Sequence, residues 1–68
     1  PMPQQITNYI NSMGFLFSKF NDKFVVEIAG EDYVIQRLGL RHWRCKKDGY
    51  TAVLKSQHEV IDWLDSRW

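Results

Sequence analysis

Cysteine, proline and glycine are scarce in this chain: one, two and four among 68 residues. A lone cysteine closes no intramolecular disulfide, so packing must hold the fold, and the absence of a disulfide framework fits a reducing compartment, expected to be the cytoplasm. No apolar run approaches the length of a membrane span, and the first residues, with Pro, Met, Gln and Asn among them, carry no leader pattern, so no membrane partner is expected. Pro1 ahead of Met2 reads as a cleavage scar or a start that has lost its initiator, and is set aside from the fold. Charge of one sign is scarce too. Nine Lys and Arg stand against eight Asp and Glu, a net charge of +1. Domains that bind nucleic acid with their whole surface read strongly basic, so only a local patch can be argued.

Aromatic side chains are plentiful: three Trp, three Tyr and four Phe. The length allows one domain, residues 1–68, and a chain this small buries only about 60% of its unfolded surface. Large rings compensate for a thin core.

The stretch from Arg37 to Lys55 organises the chain. Asp48-Gly49 is the pair a tight two-residue hairpin favours, because both central positions of its turn call for positive φ. A two-residue turn pairs Lys47 with Tyr50, Cys45 with Ala52 and Trp43 with Leu54, and on the alternate positions Lys46 with Thr51, Arg44 with Val53 and His42 with Lys55. Side chains alternate faces along a strand. Trp43, Cys45, Ala52 and Leu54 therefore point to a core, and His42, Arg44, Lys46 and Lys55 to the other face.

Towards the amino terminus, Pro3 suits a first helical turn. Ile6, Tyr9, Ile10 and Met13 follow at helical spacing, and Gly14 stands where a carboxy-terminal cap belongs. This predicts a helix over 3–13, with Asn8, Asn11 and Ser12 weakening its propensity so that packing must hold it. Phe15 to Phe20 reads as a strand, Asn21-Asp22 as a turn and Lys23 to Ala29 as a second strand, with Phe17 facing Val26 and Lys19 facing Phe24. Gly30-Glu31 reads as a type II′ turn into a third strand, Asp32 to Leu38, with Tyr33 beside Ile28 and Ile35 beside Val26. An odd loop, Gly39-Leu40-Arg41, then keeps Trp43 on the core side, with Ile35 beside Cys45 and Arg37 beside Trp43. Ser56 to Glu59 forms a capping box. Val60, Ile61, Leu64 and Trp68 make the apolar stripe of a last helix, with Trp63 at its edge.

The expected fold is α+β: a single small domain, α-β-β-β-β-β-α, whose antiparallel meander sheet carries both helices on one face. The second face is left open. It should show Leu16, Ser18, Phe20, Val25, Glu27, Val34, Gln36, Leu38, His42, Arg44, Lys46, Thr51, Val53 and Lys55, more apolar than a solvated face requires.

Two binding sites are candidates. One is a basic edge of Arg41, His42, Arg44, Lys46, Lys47 and Lys55, suited to DNA or RNA phosphates through counterion release; the plain alternative is a solvated strand whose charges prevent edge-to-edge aggregation. Stacking of single-stranded bases needs aromatic platforms beside the charges, and Phe20 alone qualifies. The other is a protein interface of Leu16, Phe20, Val25, Val34, Leu38 and Val53, with Trp63 as a further anchor, serving a homodimer or a small regulator or inhibitor of a larger protein. His42 and Cys45 fall on opposite strand faces and cannot converge on zinc, so no metal and no cofactor is expected. Cys45 reads as a small buried hydrophobe.

Small toxins that cut messenger RNA share the α-β-sheet-α outline, but their Gly-Ser-His type of strand motif is absent. Double-stranded-RNA-binding domains share it too, yet their Lys-Lys-x-Ala-Lys run at the second helix is replaced here by Ser56-Gln-His-Glu. Outline alone transfers no function. The expectation is a non-enzymatic binding module that contacts nucleic acid or, as an alternative, protein. A small ribonuclease-like enzyme using His42 with Arg41 and Arg44 comes third.

Overall fold

A computed structural model describes residues 3–66. The expected places of Pro1 and Trp68 lie outside the described residues. Helix α1 (Gln4–Met13) precedes strands β1 (Leu16–Phe20), β2 (Lys23–Ile28), β3 (Glu31–Gly39), β4 (His42–Lys47) and β5 (Tyr50–Leu54), and helix α2 (Gln57–Asp65) follows. The strands form one antiparallel sheet in sequence order, β1-β2-β3-β4-β5. Ile6 and Ile10 of α1 and Val60 and Leu64 of α2 are buried against Phe24, Val26, Ile28, Tyr33, Ile35, Trp43 and Cys45. Those seven strand residues share one face of the pleat, so both helices cover the same side of an α+β fold.

The two helices are stopped and started differently. Gly14 takes φ 75° and closes α1: its N–H reaches Asn11 O, and the Phe15 N–H reaches Ile10 O at 3.1 Å, the paired closure that a left-handed residue permits. At α2, Ser56 Oγ accepts from the Glu59 N–H at 3.1 Å, while Glu59 Oε1 accepts from the Lys55 N–H at 2.8 Å. The capping box is therefore present, with its carboxylate reaching one residue further back than the usual partner.

Helix α1 has no side-chain cap of its own, since Pro3 occupies that position. The cap comes from the other helix. Gln57 Oε1 accepts from the N–H groups of Gln5 and Ile6 at 3.0 and 3.3 Å, and Tyr9 Oη lies 2.8 Å from Asp65 Oδ1 at the opposite end. Capping oxygens are worth about 1 kcal/mol. Gln57→Ala should therefore lower stability by about that amount in urea denaturation, and an unchanged midpoint would show that water caps α1 equally well.

The register of the sheet follows the expected one with two differences. Phe17↔Val26, Lys19↔Phe24, Ile35↔Cys45, Arg37↔Trp43 and the β4–β5 ladder from Lys47↔Tyr50 to Trp43↔Leu54 stand as the alternation predicts, while β5 ends at Leu54, before the expected His42–Lys55 pair. Between β2 and β3 the turn is Ala29-Gly30 rather than Gly30-Glu31, so Val26 faces Tyr33 and Phe24 faces Ile35. Both turn residues take positive φ, 54° and 80°, the requirement of a type I′ rather than a type II′ turn. The partners shift by two residues, which leaves every side chain on its expected face.

Between β3 and β4 the extra residue is absorbed inside the strand. The register slips between Arg37 and Gly39, so that Gly39 pairs with His42 and only Leu40-Arg41 remain as the turn. A bulge of this kind lets two residues oppose one. At the β4–β5 turn, Asp48 has φ 50° but Gly49 lies outside the left-handed region, so only one of the two central residues takes the positive φ expected of both.

Candidate functional site: the open face of the sheet

No described element covers the second face. Leu16 is 70% exposed, Phe20 and Val53 are 59% exposed, and Leu38 is 45% exposed, while Val25 and Val34 are half-buried in the middle of the sheet. The cross-strand register arranges the face in rows. Leu16, Glu27 and Asp32 form one end, next to the β2–β3 turn. Ser18, Val25, Val34, Lys46 and Thr51 form the middle. Phe20, Lys23, Gln36, Arg44 and Val53 form the third row, with His42 beyond it.

The face therefore has an apolar patch of Leu16, Phe20, Val25 and Val34 over β1 to β3 and two charged ends of opposite sign. Lys23 and Asp32 belong to it as well, Lys23 opening β2 opposite Gln36 and Asp32 standing second in β3 opposite Glu27. Alternation from the expected strand starts already puts both on this face, although the expected set did not name them. Glu27 and Asp32 are direct cross-strand partners, a like-charge pairing that weakens a sheet. Among the described residues, no ion pair is made by Glu27, Asp32, Lys23, Arg44 or Lys46. Gln36 is held differently: its Nε2 donates to Asp22 Oδ2 at 3.1 Å, which pins the β1–β2 turn against β3.

The basic edge is dispersed by the fold. Arg44 and Lys46 share the open face with His42, which is exposed at the start of β4. Arg41 lies in the turn before it, and Lys55 follows β5, both exposed. Lys47 is on the helix side of the sheet. Its Nζ pairs with Glu31 and with Asp48, the latter at 2.6 Å, and sits 5.5 Å from the centroid of the Tyr33 ring. Hydrogen bonds to Asp48 and then to Glu31 hold its ammonium well above the usual lysine range. Alternation already placed Lys47 with Trp43 and Cys45, so grouping it with the open-face cations followed proximity in sequence alone.

Trp63 also stands apart from the open-face interface residues. It is on α2, half-buried, with its ring 5.7 Å from Tyr33 in an edge-to-face contact. His58 is on the same helix, 3.5 Å from Asp62. Among the described residues no three His, Cys, Asp or Glu side chains gather closely enough to hold a metal ion. No described helix is long and apolar enough to cross a membrane.

Cys45 is a free thiol with no exposed surface. Burial pushes its pKa up from 9.0 to about 12. The folded state keeps its proton where the unfolded chain loses it, so stability is complete below pH 9 and falls as the pH rises towards 12. A thiol reagent at pH 8 should accordingly modify Cys45 only as fast as the protein opens, far slower than a cysteine in a short peptide. Modification at the peptide rate would place the thiol outside the core.

The described residues thus form a small α+β domain with a single antiparallel meander sheet, one face of which no described element covers. Comparison with protein-family models, with curated proteins and with solved structures found no match.

Proposed function

We propose that this protein is a non-enzymatic interaction module whose open sheet face docks on protein. The observation that carries this reading is the composition of that face: Leu16, Phe20, Val25 and Val34 form an apolar patch over β1 to β3, flanked by Glu27 and Asp32 at one end and Lys23 at the other, with exposed Val53 beyond Arg44 and Lys46 on β5. Exposed apolar surface rimmed by polar groups is what a protein partner dehydrates favourably. A phosphate backbone would meet Glu27 and Asp32 on the same face, find Lys47 already neutralised by Glu31 and Asp48, and have Phe20 as its only aromatic platform.

A second reading, contact with DNA or RNA phosphates, is favoured by one observation. Lys23 and Arg44 flank Gln36 in a single row, with Lys46 one row away, and none of the three cations has an ion-pair partner among the described residues. The experiment that separates the readings is titration of the protein with short single- and double-stranded DNA and RNA from low to physiological salt. Protein docking predicts no binding that falls steeply with salt. Salt-steep binding that Arg44→Ala and Lys46→Ala both weaken, with the fold intact, would replace the first reading by the second.

A further inference from the structure

We infer that the occupant of the open face is a second copy of this chain, packed face to face about a two-fold axis running across the strands through the Val25–Val34 row. The inference rests on the protein-docking reading above and adds the identity and register of the partner. It starts from an imbalance within one copy. Glu27 and Asp32 oppose each other and form no ion pair among the described residues, although Lys46 stands one row away, and Lys23 and Arg44, two rows away, form none either.

A two-fold axis across the strands reverses each strand over its own copy. The Leu16–Glu27–Asp32 row then falls on the row of Phe20, Lys23 and Arg44. Leu16 meets Phe20 of the second copy, and Glu27 meets Lys23 of the second copy, with Asp32 beside them. Val25 and Val34 meet their own counterparts at the centre. By symmetry each charged contact occurs twice, and an isologous interface of this kind closes as a dimer and does not propagate. The other in-plane axis, along the strands, serves the charges worse. It keeps each end over itself, laying Asp32 on Asp32 and Lys23 on Arg44.

The size of the face sets the strength. Five strands at about 4.8 Å each give a width of roughly 24 Å, and five or six residues at about 3.3 Å give a length of roughly 17–20 Å. Two such faces together give roughly 800–1,000 Å², below the range of stable protein interfaces and within that of weak, transient ones, so the dimer should be no tighter than micromolar. Lys46 provides an internal signature. It lies in the axial row, so the two copies bring Lys46 near Lys46, and this single repulsive approach should weaken the dimer. Replacing Lys46 by threonine is therefore expected to tighten self-association, the opposite of its effect on phosphate binding.

The test is sedimentation equilibrium of the full chain and its variants over a wide concentration range. Wild type should dimerise in the micromolar range. Lys23→Glu and Glu27→Lys should each weaken the dimer about tenfold or more, and the double exchange should restore it, because opposite charges meet again across the axis. Lys46→Thr should tighten it several-fold. A wild-type chain that stays monomeric into the hundreds of micromolar overturns the inference, as does a double exchange that fails to restore what the single reversals lose. Val25→Asp, measured alongside, separates this failure from that of the underlying reading. A dimer lost with Val25→Asp but indifferent to both charge reversals overturns the register and leaves the open face as the docking surface. A dimer indifferent to all of these variants overturns both.

Discussion

Trp43→Ala should remove most of the protein's stability. The indole is 2% exposed, pairs with Leu54 on β5 and Arg37 on β3, and carries the Arg37 guanidinium 5.1 Å above its ring centroid. Among the described residues it is the one tryptophan in the buried core, where it joins Phe24, Tyr33 and a set of aliphatic side chains. Truncating a buried Trp costs about 3–5 kcal/mol, partly through lost transfer energy and partly through the cavity left behind. A domain of this size has a total stability of only roughly 3–10 kcal/mol, so the variant should sit near its unfolding midpoint without denaturant. Arg37 would lose its platform as well, although its hydrogen bonds to Gly39 O and Leu40 O, at 3.1 and 3.4 Å, would still brace the bulge. Urea denaturation checks this, with Trp63 and Trp68 as the remaining tryptophan fluorophores. A loss below about 1 kcal/mol, the scale of an ordinary surface change, would mean that Trp43 is not the keystone of the β4 packing.

Val25→Asp and Val26→Asp, one residue apart on β2, should fail in opposite ways. Val26 has no exposed surface and belongs to the core that the sheet shares with both helices. An unpartnered carboxylate there requires several kcal/mol, more than this domain holds, and the chain should not fold. Val25 is half-buried on the face that no described element covers, between Ser18 and Val34. Its replacement sacrifices β-propensity and neighbour contacts, about 1 kcal/mol, so the fold should survive while docking through the face is abolished. Circular dichroism and urea midpoints report the first effect, and the mass in solution reports the second. Unfolding by Val25→Asp comparable to that by Val26→Asp would show that the open face serves stability.

Much of this arrangement is readable from the residues because a strand's side chains have a period of two. Trp43, Cys45, Ala52 and Leu54 alternate with Arg44, Lys46 and Val53, and Asp48-Gly49 fixes the turn, so the β4–β5 ladder follows from sequence. The β2–β3 register does not. Pairing Tyr33 with Ile28 or with Val26 buries the same side chains on the same face, and the choice is made by a backbone feature, Ala29 adopting φ 54°. The bulge after Arg37 has the same character: parity demands one extra residue, and sequence does not say whether a loop or a strand takes it.

Long-range polar contacts are less legible still. Gln57 caps α1 through the N–H of Gln5, 52 residues earlier, and nothing in the pattern around Gln57 marks it as more than the first residue of α2. The candidate site lies between these extremes. Its apolar patch was legible through alternation, as was Lys23 at the head of the second strand, whereas its acidic end emerged only once the turn at Ala29-Gly30 brought Asp32 opposite Glu27.

The central claim is that the bare face of the sheet is the surface through which this protein binds. Backbone amide chemical shifts recorded as the protein is concentrated from low micromolar to millimolar test it most directly. The expected result is a set of concentration-dependent shifts confined to the open-face rows, strongest at Val25 and Val34 and at their neighbours Glu27 and Lys23, with α1 and α2 unchanged. Shifts that map instead to the helices, or to the outer edge of β5 alone, would contradict it.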